Sequence, residues 1–297
     1  MKVAIIGAGA IGLLIGSYLS EQGNRVEMVV RNEKQKQQLA KEGILRKSSV
    51  DESYVKVQAT TDLASVQQAD LCILAMKYTD VEAVLEQLKS LAITTPLLFI
   101  QNGLAHYELV EEGDFRAVAF ATVEHGAVKE EHHIVCHNGV GWFKIGHKFG
   151  ECTVFKQLEQ YRSERFPIEL YEEALPLLLR KTLMNCMINP LTAILQVPNG
   201  ELVRNEVCHE LMKRLYEECL TAFPEMTSLL PLEEVEAVCS RTAENESSML
   251  VDLKNSRPIE VETIVTAVIQ LANRRGHTLP LLSTYEKLLI VMNGKVR

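Results

Sequence analysis

Lys2-Val3-Ala4-Ile5-Ile6, Gly7-Ala8-Gly9-Ala10-Ile11-Gly12 and the run Leu13 to Leu19 read in order as strand, glycine turn and helix. No other feature of the chain constrains its fold so much. The glycines stand at the G-x-G-x-x-G spacing of a nucleotide-binding turn. Gly7 lets the chain turn off the strand, Gly9 lets a pyrophosphate approach the backbone, and Gly12 lets the helix pack close to a sheet. The helix N-terminus then offers free N–H groups and a partial positive charge to phosphates. A second strand, Val26-Glu27-Met28-Val29-Val30, follows where a βαβ unit needs it. Dinucleotide binding is therefore expected, rather than a bare turn.

The end of that second strand selects the cofactor. NAD-binding chains usually carry Asp or Glu there for the ribose 2′-hydroxyl. This chain has Arg31-Asn32, with Lys34 and Lys36 nearby. A guanidinium fork suits a 2′-phosphate and a carboxylate repels one. The expected cofactor is NADP(H).

The 297 residues allow one large domain or two ordinary ones. A hydrophobic share of 47% is enough for a core in each half, and a net charge of −8 without a long basic run argues against nucleic-acid binding. Seven scattered cysteines, an odd number with no CxxC, fit reduced thiols better than a disulfide framework or zinc ribbon. No stretch has the length of a membrane span, and the apolar start serves as strand, turn and helix rather than as a signal peptide. A cytoplasmic protein is expected.

Along the first half, strand and helix alternate. Glu33 to Glu42 reads as a helix closed by Gly43, Tyr54 to Val57 as a strand, and Asp62 as the cap of a short helix. Leu71 to Ala75 and Leu97 to Ile100 are continuous apolar runs, the mark of buried parallel strands. Asp80 to Leu91 lies between them as a helix. A helix from about Leu104 and a strand from Arg116 to Val123 complete a mostly parallel, doubly wound sheet. Lys77 and Gln101-Asn102-Gly103 follow strand ends on the edge that carries the glycine loop, where open α/β sheets bind ligands. His132 to His137 and Trp142 to Gly146, around Asn138 to Gly141, read as a β-hairpin. Its alternation puts His133, Val135 and His137 on one face, which gives no tight metal-ligand set, so no metal is expected. Glu151 to Arg165 reads as an amphipathic helix and Ile168 to Tyr171 as a strand closing the sheet.

From Glu172 onward strand signals are sparse. Helices are expected over Glu201 to Phe223, Glu233 to Lys254, Ile259 to Arg275 and Leu281 to Val291. Two domains result, an α/β nucleotide-binding domain over 1–170 and an all-α domain over 171–297. In the second, Lys181, Asn185 and Asn189 recur every four residues among apolar neighbours, with Lys181 and Asn185 on one helical face. Pro190 predicts a kink or an end at Asn189. Buried amides and a lysine need partners or a ligand, and spacing alone leaves satisfied side chains and a binding site equally open. Glu260, after the Asn255–Pro258 break, falls in the first turn of a helix, where the dipole favours a carboxylate.

Lys181…Asn185…Asn189-Pro190-Leu191-Thr192-Ala193 with Pro198-Asn199-Gly200, and Ser247-Ser248-Met249-Leu250…Asp252…Glu260, resemble the signature of the ketopantoate reductase (2-dehydropantoate 2-reductase) family. The glycine loop with Arg31, Lys77 and Gln101-Asn102-Gly103 matches too, in the family's order and over nearly the whole chain. One departure is Thr263 to Val268, where the family often carries a glycine. The resemblance implies a Rossmann-type N-terminal domain, an all-α C-terminal domain, and NADPH-dependent reduction of ketopantoate to (R)-pantoate on the route to pantothenate and coenzyme A. It makes Lys181 the general acid. It gives Asn185, Asn189 and Ser248 the substrate's carboxylate and hydroxyl, and Glu260 the substrate hydroxyl with a part in the cofactor site. It assigns Gly7, Ala8, Gly9, Ala10, Ile11, Gly12, Arg31 and Gln101 to the cofactor, with Lys77 and Asn102 shared between cofactor and substrate. It further implies a small-molecule substrate as the only partner, without nucleic acid or membrane, in a monomer or homodimer. The competing expectations are a related reductase of another branched 2-oxo acid and an NADPH-sensing protein without turnover.

Overall fold

The computed structural model describes residues 1–294, so the last three residues of the expected 171–297 domain lie outside it. The chain divides into two units, Met1–Gln101 with His106–Leu177, and Asn102–Ala105 with the chain from Leu178 onward.

The first unit is built on β1 (Lys2–Ile6), α1 (Ala10–Glu21), β2 (Arg25–Val29), α2 (Glu33–Glu42), β3 (Ile44–Ser48), β4 (Glu52–Val55), β5 (Gln58–Thr60), β6 (Leu71–Leu74), α3 (Val81–Ser90), β7 (Leu97–Phe99), β8 (Ala117–Val123), β9 (Gly126–Lys129), β10 (Ile134–Gly139), β11 (Phe143–Gly150), α4 (Thr153–Gln157) and β12 (Ile168–Tyr171). Its main sheet runs β12-β11-β8-β7-β6-β1-β2-β5. The six strands from β5 to β8 are mutually parallel, and β11 turns antiparallel to β8. The strand order reverses between β1 and β6, so their carboxyl ends meet at the topological switch point. Ile6 pairs with Leu74 there, and the Ala75 N–H donates to the Ile6 carbonyl over 2.8 Å. Val3, Ala4, Ile5 and Leu71 to Leu74 are fully buried, as strands covered on both faces must be.

The expected hairpin does not form. β10 lies in a separate sheet, β4-β3-β10-β9, paired in parallel with β3 and antiparallel with β9, whereas β11 belongs to the main sheet. The Asn138–Gly141 stretch carries the chain from one sheet to the other. The alternation itself holds, because His133, Val135 and His137 all face inward. His137 is buried on partners: the Tyr18 hydroxyl lies 2.8 Å from its Nδ1 and His125 Nδ1 lies 3.0 Å from its Nε2. The second sheet packs on α1, where Arg46 stacks 3.8 Å above the Tyr18 ring and pairs with Glu21 at 2.9 Å. That pairing allows a guanidinium to be buried.

Other elements are shorter than expected. The helix from Leu104 is a 3₁₀ turn over Ala105–Leu109, and Glu151 to Arg165 yields only α4 and a 3₁₀ turn over Leu158–Tyr161. The Tyr54 to Val57 strand ends at Val55, with β3 pairing before it and β5 following it.

The second unit is helical, as expected. It takes most of α5 (Ala174–Leu195), then α6 (Glu201–Arg204), α7 (Glu206–Ala222), α8 (Leu232–Arg241), α9 (Ser248–Lys254), a π turn (Glu262–Thr266) continuing into α10 (Ala267–Arg274), and α11 (Pro280–Gly294). Helix α5 does not end at Asn189 but runs through Pro190. Proline withholds one N–H from the ladder. The turn is held instead by burial of Cys186, Met187, Ile188, Leu191 and Ala193, and by Thr192 Oγ1, 2.9 Å from the Ile188 carbonyl and 3.1 Å from that of Asn189. The helix expected over Glu201 to Phe223 breaks at Asn205, whose side chain accepts from the N–H groups of Val207 and Cys208 and so starts α7. Glu233 to Lys254 likewise splits, because Ser247 caps α9 by accepting from the Leu250 N–H. Glu260 stands just ahead of the helical residues rather than in their first turn. Glu218 of α7 caps α11 through the N–H groups of Leu281 and Leu282. Among the described residues no helix is long and apolar enough to cross a membrane, and all seven cysteines are free thiols.

Candidate active site

In the first unit the three glycines of the loop have three different surroundings. Gly7 turns at φ +106°, and a Cβ on it would meet the Met76 nitrogen at 2.8 Å. A Cβ on Gly12 would lie 2.1 Å from the Gly7 carbonyl oxygen, an impossible distance. A Cβ on Gly9 would meet nothing within 4 Å among the described residues beyond its chain neighbours. The loop is thus packed on both sides of one open position. Gly9 is also the N-cap of α1, and among the described residues no side chain caps that helix and no acidic residue occupies its first turn. Most helices fill this position with Ser, Thr, Asp or Asn. Here the N-terminal N–H groups are left for an external anion. These are the features a dinucleotide pyrophosphate requires.

Neighbouring side chains hold the loop's edge. Gln35 of α2 donates to the Ala8 carbonyl over 3.1 Å and to the His132 carbonyl over 2.8 Å. Gln101, buried just past β7, donates through Nε2 to the carbonyls of Leu74 (2.8 Å) and Met76 (3.0 Å). It therefore fixes the turn that presents Lys77. Its Oε1 is buried with no hydrogen-bond partner among the described residues, and an amide donor of a bound ligand would satisfy it. Arg31 follows β2 with its side chain 86% exposed, its Nη1 3.2 Å from Asp80 Oδ1. Asn32 caps α2 by accepting from the Lys34 N–H at 2.8 Å. Lys77 is exposed at the carboxyl edge of β6.

In the second unit, α5 carries Lys181 and Asn185, both partly exposed, and Asn189, which is buried. Cys186, fully buried, donates through Sγ to the Ile264 carbonyl in the π turn at 3.3 Å. The segment Asn102–Ala105 belongs to this unit. Asn102 Nδ2 donates to Glu260 Oε2 over 3.3 Å, and the Leu104 N–H donates to the Thr263 carbonyl over 2.9 Å. Gly103 adopts φ +87° against Thr263, where a Cβ would lie 2.0 Å from the carbonyl oxygen. Such a π turn is an irregularity that helices often keep at functional sites. It occupies the segment where the chain departs from the family's usual glycine. At the other end of α5, Thr192 Oγ1 lies 2.7 Å from Ser247 Oγ, which brings the Asn189 turn next to the start of α9. Ser248, the first residue of α9, is exposed, whereas Ser247 is buried as its cap.

Asn102 and Glu260 are thus brought into contact, and Asn189 is brought beside the Ser247–Ser248 pair. Sequence reasoning gave no role to Gln35 or Asp80, and it named Thr192 and Ser247 only as parts of the signature segments. The polar contact each makes is what no spacing reveals. Elsewhere, Cys136 donates to Glu130, and the His132 carbonyl accepts from Gln35.

The parallel sheet with an open glycine loop at its switch point, followed by a helical unit whose α5 carries Lys181, Asn185 and Asn189, defines a nucleotide-dependent oxidoreductase architecture. Residues 3–149 match the family model described as "Ketopantoate reductase PanE/ApbA", and residues 174–292 match its C-terminal counterpart. The 2-dehydropantoate 2-reductase of Listeria monocytogenes is 35% identical over 99% of this chain and 98% of its own length. That of Bacillus subtilis is 33% identical over 93% of this chain and 92% of its own. The crystal structure of the probable 2-dehydropantoate 2-reductase of Bacillus subtilis superposes with a TM-score of 0.87, at 30% identity, over 98% of this chain and all of that one. The chain belongs to the ketopantoate reductase family.

Proposed function

We propose that this chain reduces 2-dehydropantoate (ketopantoate) to (R)-pantoate with NADPH, a step of pantothenate and coenzyme A biosynthesis. The observation that supports the reading most is the Asn102–Glu260 hydrogen bond, 3.3 Å long, which joins two distant signature segments into one polar surface.

The glycine loop and the uncapped start of α1 would receive the pyrophosphate, Arg31 the 2′-phosphate, and Gln101 Oε1 an amide donor. When bound, NADPH supplies a hydride to the carbonyl carbon. Lys181 gives a proton to the carbonyl oxygen as negative charge grows on it, and its ammonium stabilises that charge before the transfer. Asn185, Asn189 and Ser248 hold the carboxylate and hydroxyl of the substrate. Glu260 accepts a hydrogen bond from the substrate hydroxyl, with Asn102 orienting the carboxylate, and Lys77 assists between cofactor and substrate. A 2-oxo acid without the hydroxyl cannot make this hydrogen bond to Glu260, and the lost bond is the source of selectivity.

The test is NADPH oxidation by the purified protein with ketopantoate, with NADH in its place, and with 2-oxo acids lacking the hydroxyl. Fast turnover of ketopantoate alone, with NADPH preferred, is expected. Glu260→Ala should then lose kcat/KM for ketopantoate by roughly a hundredfold while NADPH binding changes little. Preference for a different oxo acid overturns the substrate assignment. Binding of NADPH without any turnover overturns the assignment as an enzyme.

A further inference from the structure

We infer that Thr192 is a positioning residue for the substrate, acting through Ser247. This rests on the proposed reduction of ketopantoate. Thr192 is fully buried in α5, three residues beyond Asn189. Its hydroxyl has three neighbours, of which the Ile188 carbonyl at 2.9 Å is the ordinary contact with the preceding helical turn. The hydroxyl lies 3.1 Å from the Asn189 carbonyl oxygen, within the turn that Pro190 deprives of a backbone donor. It also lies 2.7 Å from the Ser247 hydroxyl, itself 5% exposed. Ser247 Oγ in turn accepts from the Leu250 N–H at 3.2 Å and so sets the first turn of α9. One pair of hydroxyls therefore fixes the α5 amide turn against the helix start that presents Ser248.

A hydroxyl is not needed here for packing. Valine has the same shape, and Ile188, Leu191 and Ala193 beside it in α5, like Met249 and Leu250 after Ser247, are apolar and buried. A hydroxyl at this place serves to fix the spacing between two substrate-binding segments that are 55 residues apart in the chain. A displacement of these segments changes how the substrate is held. It leaves Lys181, more than two turns away on α5, and the nucleotide loop of the first unit untouched.

The experiment compares Thr192→Val, Thr192→Ser and Ser247→Ala with the parent chain, measuring KM for ketopantoate, kcat, NADPH affinity and thermal stability. Thr192→Val should raise KM roughly tenfold, the effect of about one buried hydrogen bond, with kcat and NADPH affinity within about twofold. Thr192→Ser should restore the parent KM. Ser247→Ala should raise KM at least as much, since it also removes the α9 cap, and the double variant Thr192→Val/Ser247→Ala should raise it no further than Ser247→Ala alone, because the shared link is already lost. A change in stability alone with KM unchanged overturns the inference, as does failure of serine to rescue or a purely additive double variant. If the parent chain does not turn over ketopantoate, the proposed function fails and this inference with it. If the parent is active and Thr192→Val keeps its KM, only this inference fails.

Discussion

At the scale of single residues, the site separates chemistry from recognition. In the proposed reaction Lys181 is the proton donor, so replacing it with alanine should lower kcat by about a hundredfold or more while KM changes far less. Steady-state kinetics decide this directly, and near-normal turnover removes the role. Arg31 raises a different matter, because its guanidinium is already paired with Asp80 at 3.2 Å. An exposed pair of this kind is weak, so a 2′-phosphate can displace it, but the Asp80 carboxylate then stands close to the incoming dianion. Asp80→Asn should therefore tighten NADPH binding several-fold and leave NADH unchanged, with the gain shrinking as salt is added. Arg31→Ala should abolish the preference. Equal changes for both nucleotides in either variant would show that this corner does not read the phosphate.

At the scale of elements, the glycine loop offers a paired test. Gly12→Ala pushes a methyl group against the Gly7 carbonyl at 2.1 Å, and an overpacked contact of this severity should cost about 3 kcal/mol and lower Tm by roughly 5–10 °C. Gly9 has an extended backbone and open space beside it. Gly9→Ala should keep Tm within about 2 °C and weaken NADPH binding tenfold or more, because only the ligand meets the new methyl. The same loop shows what can be read from sequence. Strand, turn and helix follow one another within a few residues, and each glycine's task is dictated by its immediate neighbours. Pairing between distant segments was not readable in this way. The alternation of His133, Val135 and His137 was correct, but β10 finds its parallel partner at Leu45 to Ser48, and nothing near residue 134 signals that choice. The break at Asn205 had a local signal, an Asn followed by Glu in the helix-start pattern, which the apolar spacing of Leu202 to Cys219 obscured. Helix α5 passes Pro190 because buried apolar neighbours outweigh the local penalty. Of the proposed site, spacing picked out the lysine and the amides but left their role open, and only the resemblance assigned one. Thr192 and Ser247 stood within the signature segments, but the pairing of their hydroxyls across 55 residues was not readable.

At the scale of the whole molecule, buried histidines contribute to the loss of stability in acid. His106 is fully buried against Phe99 and Phe120, and burial, aided by Lys148, pushes its pKa down to about 3. Burial and then the neighbouring His137 push His125 down to about 4. Both fall below the unfolded value of about 6.5, so the unfolded chain binds more protons in this range. The stability that neutral burial contributes is complete above about pH 6.5 and is lost as pH falls through 4 towards 3. Unfolding free energy measured from pH 7 to 4 should fall accordingly, and His106→Leu should reduce that slope by up to about one proton. An unchanged slope would mean that His106 takes up its proton without unfolding.

The short segment Asn102–Ala105 has a consequence for how such a chain can be inherited or rebuilt in pieces. The polypeptide leaves the first unit after Gln101, returns to it at His106, and leaves again after Leu177. Its second half is therefore not a contiguous cassette. Gly103 and Leu104 are fitted to the Thr263 carbonyl of this chain's own π turn. A crossover between two relatives near residue 177 would set a foreign helix against that four-residue insert. Recombinants should fold well only when residues 102–105 travel with the distant half they contact, so this tetrapeptide and the π turn behave as one heritable unit.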